Sequence, residues 1–287
     1  MGRTELVELH DHRWFPAFLR DLVTDALQVL WQFGNSYGPI LSRLHRGLTA
    51  NSPAAPVRVV DLCSGGGGPW LRLSNTLERD FRLPIHVCLT DKYPNRDAFE
   101  EVRTRCRLQS DSRSDLGFVA ASIDATRVPP ELRGFRTIFS SFHHFGPADA
   151  EEILCDAVQG GEGIGVFELA KREVRTMLVL CFAPLLVLLL TPQIRPFRWS
   201  RLFWTYVIPV VPFVIWFDGI VSCLRAYGLE ELREMIRRLP ETTSKRTYRW
   251  ELGEERTGLL PVTYLIGYPE SVATLRGSEV IDADMIH

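Results

Sequence analysis

Lysine is almost missing from this chain. Of 33 basic residues only Lys92, Lys171 and Lys245 are lysine, and the rest are arginine. A GC-rich genome explains that bias more simply than a preference for forked phosphate contacts. Cysteine is sparse: Cys63, Cys88, Cys106, Cys155, Cys181 and Cys223 make no C-x-x-C pair. This argues against a structural zinc site and against a disulfide scaffold. Net charge is nearly absent too, at −2 with a pI of about 6.4, so no nucleic-acid partner is expected. Met1–His12 is charged and polar, without the apolar stretch of a secretory leader. A reducing, cytoplasmic setting follows as the expectation. There is no internal repeat and no long low-complexity tract.

What is present is a chain of 287 residues, 46% hydrophobic and 24% charged. That suffices for one large domain, or a domain with an insertion, and excludes disorder over most of the length. The mean hydropathy of −0.01 averages unlike parts. Residues 14–48 show helical periodicity with a break at Gly34–Gly38. Asn51–Pro56 reads as a linker. From Val57 the pattern changes to short strands alternating with helices. Strands are expected at 58–62, 85–90, 118–122, 135–141 and 164–169. Helices are expected at 69–81, 95–107 and 148–158. A helix at 229–239 and strands at 247–252 and 262–268 close the chain. Strand–helix alternation followed by two strands predicts a parallel sheet with an antiparallel closing hairpin.

The richest stretch is Val59-Val60-Asp61-Leu62-Cys63-Ser64-Gly65-Gly66-Gly67-Gly68-Pro69-Trp70. Four glycines at a strand–helix junction allow a sharp turn and close approach of a ligand. Neither G-x-G-x-x-G nor a Gly-Lys-Ser/Thr ending is present, which removes the dinucleotide fingerprint and the P-loop. An acidic residue closing a strand, with glycines four and six positions on, resembles the first motif of the class I S-adenosylmethionine-dependent methyltransferases. Asp61, Gly65 and Gly67 match it; Cys63 stands where that family usually has its first glycine. Asp91 ends the second strand, where a carboxylate can accept both ribose hydroxyls. Asp124 and Ala125 follow the third. Ile138–Phe145 resembles the fourth motif.

The resemblance covers residues 57–170 and the last two strands. It implies an α/β fold with a Rossmann-like, mostly parallel seven-stranded sheet and helices on both faces. It implies S-adenosyl-L-methionine as cofactor, held by Asp61, Cys63, Gly65, Gly67, Asp91, Lys92, Asp124, Ala125 and Ser141. The expected organisation is a helical cover at 1–56, a cofactor-binding core at 57–175, an apolar helical insertion at 176–228, and completion of the core at 229–287. Fold resemblance says little about the substrate.

Methyl transfer from a sulfonium needs an aligned nucleophile and exclusion of water. A general base helps when the nucleophile is a hydroxyl or a protonated amine. His143 and His144 are the candidate bases, since neutral imidazole suits pH 7. Phe142, Glu168 and Asp218 are candidate substrate contacts. The other reading of Glu168 is a salt bridge to Lys171 or Arg172. That of Asp218 is a cap on a helix at 220–227.

Residues 177–217 carry no acidic residue and are dominated by Leu, Val, Phe, Trp and Pro. Each apolar run is shorter than the ~20 residues of a spanning helix. Helices dipping into one leaflet are the favoured reading. A soluble lid or dimer interface comes next, and a double span last. Lys171, Arg172, Arg175, Arg195, Arg198 and Arg201 flank or interrupt the segment, as suits anionic lipid headgroups. The expected partner is therefore a hydrophobic or lipid-like small molecule, met at the inner face of a membrane. The rival readings are a membrane-associated protein that keeps the fold without turnover, and an enzyme using the cofactor for another reaction. A nucleic-acid methyltransferase is disfavoured, because no Asn/Asp-Pro-Pro-Tyr/Phe signature follows the fourth strand.

Overall fold

The computed structural model describes residues 2–4, 6–51, 55–108, 112–239, 248–256 and 260–270. Residues 52–54 of the expected linker, and Thr247 at the start of an expected strand, lie outside them. Helices α1 (Ala17–Phe33) and α2 (Leu41–Asn51) precede the sheet. Strands β1 (Val57–Leu62), β2 (Ile85–Leu89), β3 (Asp115–Phe118), β4 (Phe135–Phe139) and β5 (Ile164–Glu168) alternate with α3 (Trp70–Phe81), α4 (Arg96–Arg107) and α5 (Pro147–Gly160). The insertion holds α6 (Val174–Leu180), α7 (Ala183–Leu190), α8 (Trp199–Leu202) and α9 (Val210–Arg225). Then come α10 (Leu229–Arg238), β6 (Tyr248–Glu255) and β7 (Val262–Pro269).

The seven strands form one sheet in the order β3-β2-β1-β4-β5-β7-β6. The first five are parallel, while β7 runs antiparallel between β5 and β6. The order reverses between β1 and β4, which opens a crevice at their carboxyl ends. Strand β4 is buried at every position and β1 at all but Arg58, as a sheet covered on both faces requires. One core packs α2, α3 and α4 on one face through Leu44, Leu48, Trp70, Leu77 and Phe99. The other packs α5 and α10 through Ile153, Leu154, Ala157 and Leu232. A third core, Leu19, Leu22, Val23 and Ala26 with Val187, Val211 and Ile215, joins the cover to the insertion.

Two expected elements are displaced. The third strand is Asp115–Phe118, not 118–122. Val119-Ala120-Ala121 looks more strand-like, but an edge strand takes its register from its only neighbour: β2 pairs His86 with Asp115 and Leu89 with Phe118. Nor does a helix begin at 220. Helix α9 runs unbroken from Val210, and Asp218 lies in its interior rather than at a cap. Pro209 precedes it and Pro212 falls in its first turn, where a missing N–H costs no hydrogen bond.

A sealed ion pair links these parts. Asp25 of α1 meets Arg201 of α8, with side chains 6% and 2% exposed. Asn95 donates to the other oxygen of Asp25 at 3.0 Å. Its own side-chain oxygen caps α4 by accepting from the Ala98 N–H at 3.2 Å. Removing one partner strands a buried charge. Asp25→Ala is expected to lower stability by about 3 kcal/mol. The double variant Asp25→Leu/Arg201→Met should recover much of that loss in a urea titration. A single variant as stable as wild type would contradict the role given to the pair.

Candidate functional site

At the end of β1 the chain turns through Cys63 (φ 57°), Gly65 (φ 53°), Gly67 (φ 103°) and Gly68 (φ 58°). Only some of this serves a cavity. Gly65 lines it and donates its N–H to Asp91 Oδ2 at 2.8 Å. A Cβ on Gly66 would lie 2.7 Å from the Thr24 carbonyl, so α1 itself demands glycine there. On Gly67 it would lie 2.8 Å from Val102 Cγ2, and Gly67 does not line the cavity.

Asp61 is sealed beneath the turn. Its two oxygens accept from Ser64 Oγ and Thr137 Oγ1, each at 2.6 Å, tying β1 and its loop to β4. Burial pushes its carboxyl up to about 6 against those hydrogen bonds. Asp91 stands in the cavity wall, with the Tyr93 N–H on Oδ1 at 2.8 Å. Each oxygen keeps a lone pair for a ligand hydroxyl. Lys92 lines the cavity and reaches Asp124 Oδ2 at 3.2 Å. Burial acts to raise the Asp124 carboxyl, but Thr126 and Lys92 outweigh it and hold it below the usual range. Asp124 lies six residues past β3, off the cavity wall, and Ala125 is buried in the core beside α5. Ser141 and Cys63 line the cavity.

The turn Phe142–His144 after β4 meets the N-terminal turn Leu9–Asp11 and α9. His144 Nδ1 lies 2.7 Å from Asp11 Oδ2, and His10 Nδ1 lies 2.7 Å from Asp218 Oδ2. Asp218 Oδ1 also accepts the Leu9 N–H at 2.7 Å. Arg225 holds the turn by donating to the carbonyls of His143 and His144, at 3.0 and 2.5 Å. Asp218 is therefore a clamp on the N-terminal segment.

His143 cannot be the neutral base expected of it. It is 2% exposed, its Nδ1 sits 2.7 Å from Glu168, and its Nε2 sits 3.2 Å from Glu8. Burial alone would favour the neutral ring. Glu168 and then Glu8 outweigh it and push the pKa up to about 10, so His143 is a structural cation at neutral pH. Glu168 accepts from that ring and from the Phe142 N–H at 2.6 Å, not from Lys171 or Arg172. Those two bind Glu173, Glu254 and Glu231 instead. The Phe142 ring is fully buried against Tyr227, so it reaches no substrate. His144 does face the cavity.

Sequence reasoning missed Glu8, His10 and Asp11. Their signal was the dense run Glu8-Leu9-His10-Asp11-His12, read only as a polar terminus. The cavity, of about 700 Å³, joins this cluster to Gly65 and Asp91. Leu27, Leu30 and Trp31 of α1, Val179 and Leu180 of α6, and Leu186 of α7 give it an apolar stretch of wall.

No protein-family model and no curated protein sequence matches the chain. Among solved structures it is similar to the plantazolicin methyltransferase BpumL in complex with SAH, at 10% identity, with 88% of this chain and 96% of that one covered and a TM-score of 0.45. Magnesium protoporphyrin IX methyltransferase from Synechocystis PCC 6803 with bound SAM is 8% identical, with 80% and 78% covered and a TM-score of 0.43. The [4+2]-cyclase SpnF is 13% identical, with 94% and 99% covered and a TM-score of 0.46. At such identities a likeness concerns the fold alone. The strand order already gives that fold, the Rossmann-like sheet of the class I methyltransferases.

Asp61 generates a pH-dependent prediction. A carboxyl whose folded pKa is raised adds stability that is complete below its unfolded value of 3.8 and lost as pH rises through about 6. Relative to Asp61→Asn, wild type should lose about 2–3 kcal/mol between roughly pH 4 and 6. Parallel urea titrations of the two proteins across that window measure it. A constant difference would refute the assignment.

Proposed function

We propose that this chain is an S-adenosylmethionine-dependent methyltransferase acting on a hydrophobic or lipid-like small molecule at a membrane surface. One observation carries the reading: a single cavity has the Gly65–Asp91 wall at one end, the His144 cluster at another, and apolar helices between them. Asp91 supplies acceptors for the ribose hydroxyls, and Gly65 leaves room for the donor. The sulfonium is already activated, so the protein's work is alignment and exclusion of water. Helices α1, α6 and α7 do both for an apolar acceptor. His144 stands at the polar end, where the acceptor's reacting group would lie. Lys92 belongs to the donor end of the cavity in this reading, with Asp124 holding its ammonium group at 3.2 Å from outside the wall, while Ala125 stays in the core and makes no contact with the donor.

The outer face of the insertion supports membrane contact. Phe182, Leu189 and Trp199 are 66%, 62% and 77% exposed, with Leu178, Leu185 and Val207 beside them. Leu178, Phe182, Leu185 and Leu189 recur every three or four residues along the helices, and an exposed apolar stripe of that kind marks an interaction site. Val174–Gln193 is long and apolar enough to cross a membrane, and Trp199–Val207 with Val210–Arg225 meets the same test only as a pair bent by 69°. The bend and the packing of α7 on α9 favour helices lying in one leaflet. Arginine contributes less than expected. Arg201 is buried against Asp25, and Arg198 pairs with Asp97. Attachment should therefore depend on apolar insertion more than on anionic lipid.

Asp91→Ala is expected to weaken S-adenosylmethionine binding by about 10- to 100-fold in calorimetry, the worth of charged hydrogen bonds. Unchanged binding would refute the donor site. Flotation should carry wild type with phosphatidylcholine vesicles, and the triple variant Phe182→Ser/Leu185→Ser/Leu189→Ser should stay behind. Wild type that fails to float on neutral and on anionic vesicles alike would remove the membrane from the proposal. Labelled donor with a total lipid extract should yield an extractable labelled product.

A further inference from the structure

Glu8, His10 and His144 each present one ligand atom, and these three atoms lie within 4.8 Å of one another. Glu8 Oε2 is 3.8 Å from His144 Nε2 and 3.8 Å from His10 Nδ1. A tetrahedral site with bonds of about 2.0–2.1 Å has ligand separations of about 3.4 Å, and the two separations from Glu8 Oε2 lie within a few tenths of an ångström of that. We infer that Glu8, His10 and His144 form a binding site for a divalent transition-metal ion, opening on the same cavity as Asp91.

The supporting groups are already in place. The carboxylate of Asp11 can only accept, so its 2.7 Å contact puts the hydrogen of His144 on Nδ1 and turns the Nε2 lone pair toward Glu8. Carboxylates orient metal-bound imidazoles in this way. Glu8 Oε1 is occupied by Ser222 Oγ at 3.0 Å, which leaves Oε2 for the ion. Asp218 Oδ2, 2.7 Å from His10 Nδ1, can likewise only accept, so it holds the hydrogen of His10 on Nδ1, and binding of an ion through Nδ1 moves that hydrogen to Nε2 and frees Asp218 Oδ2. Charge agrees. Glu8, Asp11, Glu168 and Asp218 converge here, and Arg225 and His143 answer two of them. One divalent cation answers the other two.

Two imidazoles and a carboxylate suit zinc, iron or manganese rather than calcium or magnesium. Three protein ligands leave a position open toward the cavity, the pattern of catalytic rather than structural sites. There the ion would hold an acceptor oxygen and lower the pKa of its proton. That role rests on the proposed function; the binding of the ion does not.

The test uses the full chain, stripped with chelator and titrated with zinc, and separately with cobalt as a spectroscopic probe. One equivalent should bind in calorimetry, and cobalt should give the intense visible bands of a four- or five-coordinate site containing nitrogen. His144→Ala, His10→Ala and Glu8→Gln should each weaken zinc at least 100-fold. Asp11→Asn should weaken it about 10-fold, as expected of an orienting carboxylate. His86→Ala, far off on β2, should leave it unchanged. Absence of zinc binding by folded wild type overturns the inference, and so does equal binding by His144→Ala and His10→Ala. Should the variants fail to fold, a pale octahedral, oxygen-only cobalt spectrum of wild type overturns it as well. Donor calorimetry on the stripped protein reads the Asp91 site by itself, so failure of the metal site and failure of the proposed function give different results.

Discussion

The carboxylate of Asp25 is the point where the three parts of the molecule meet. Arg201 brings the insertion to it, Asn95 brings the start of α4, and α1 carries it. An isolated charge at that depth would be intolerable, so the parts must arrive together and in register. Once they do, α1 lies on the glycine turn so closely that Thr24 leaves no room for a side chain at Gly66. The same helix then presents Leu27, Leu30 and Trp31 to the cavity. Cofactor loop, cover and apolar roof thus share one anchor.

Much of the core was legible because its signals are local. Val57–Leu62 is a run of buried positions ending at an acid and four glycines, and Asn95 announces the helix it caps. What could not be read depends on partners distant in the chain. Asp115-Leu116-Gly117-Phe118 is a strand because β2 makes it one. Asp218 looks like a cap because Pro209 and Pro212 look like breaks, until the helix start places both where they do no harm. Gly67 matches a cofactor motif by spacing, yet Val102 and Gln28 explain why it is glycine. His143 looks like a base in isolation and becomes a cation only between Glu168 and Glu8.

The insertion shows a different limit. Its helices are apolar around most of their circumference, so periodicity cannot tell inside from outside. The structure separates the two. Ala183, Val187 and Leu190 of α7 pack inward, while Leu185 and Leu189 face out. The inner face completes a cavity and the outer face is left without a covering element among the described residues. One short helix therefore serves two apolar environments. The buried arginine at its far border, which composition alone would assign to a lipid surface, is spent on holding the insertion to α1.

The acid–imidazole cluster is assembled from segments far apart in the chain. Glu8 meets Ser222, Leu9 meets Asp218, and Asp11 meets His144, across 214, 209 and 133 positions of chain. Contacts of that span form slowly and late, because the intervening chain must be ordered before they gain anything. On the ribosome, the residues made first must wait for helix α9 before their carboxylates have partners. The polar end of the cavity therefore cannot exist before that helix is made, and a chain released earlier would carry Gly65 and Asp91 with no acid–imidazole cluster to join them.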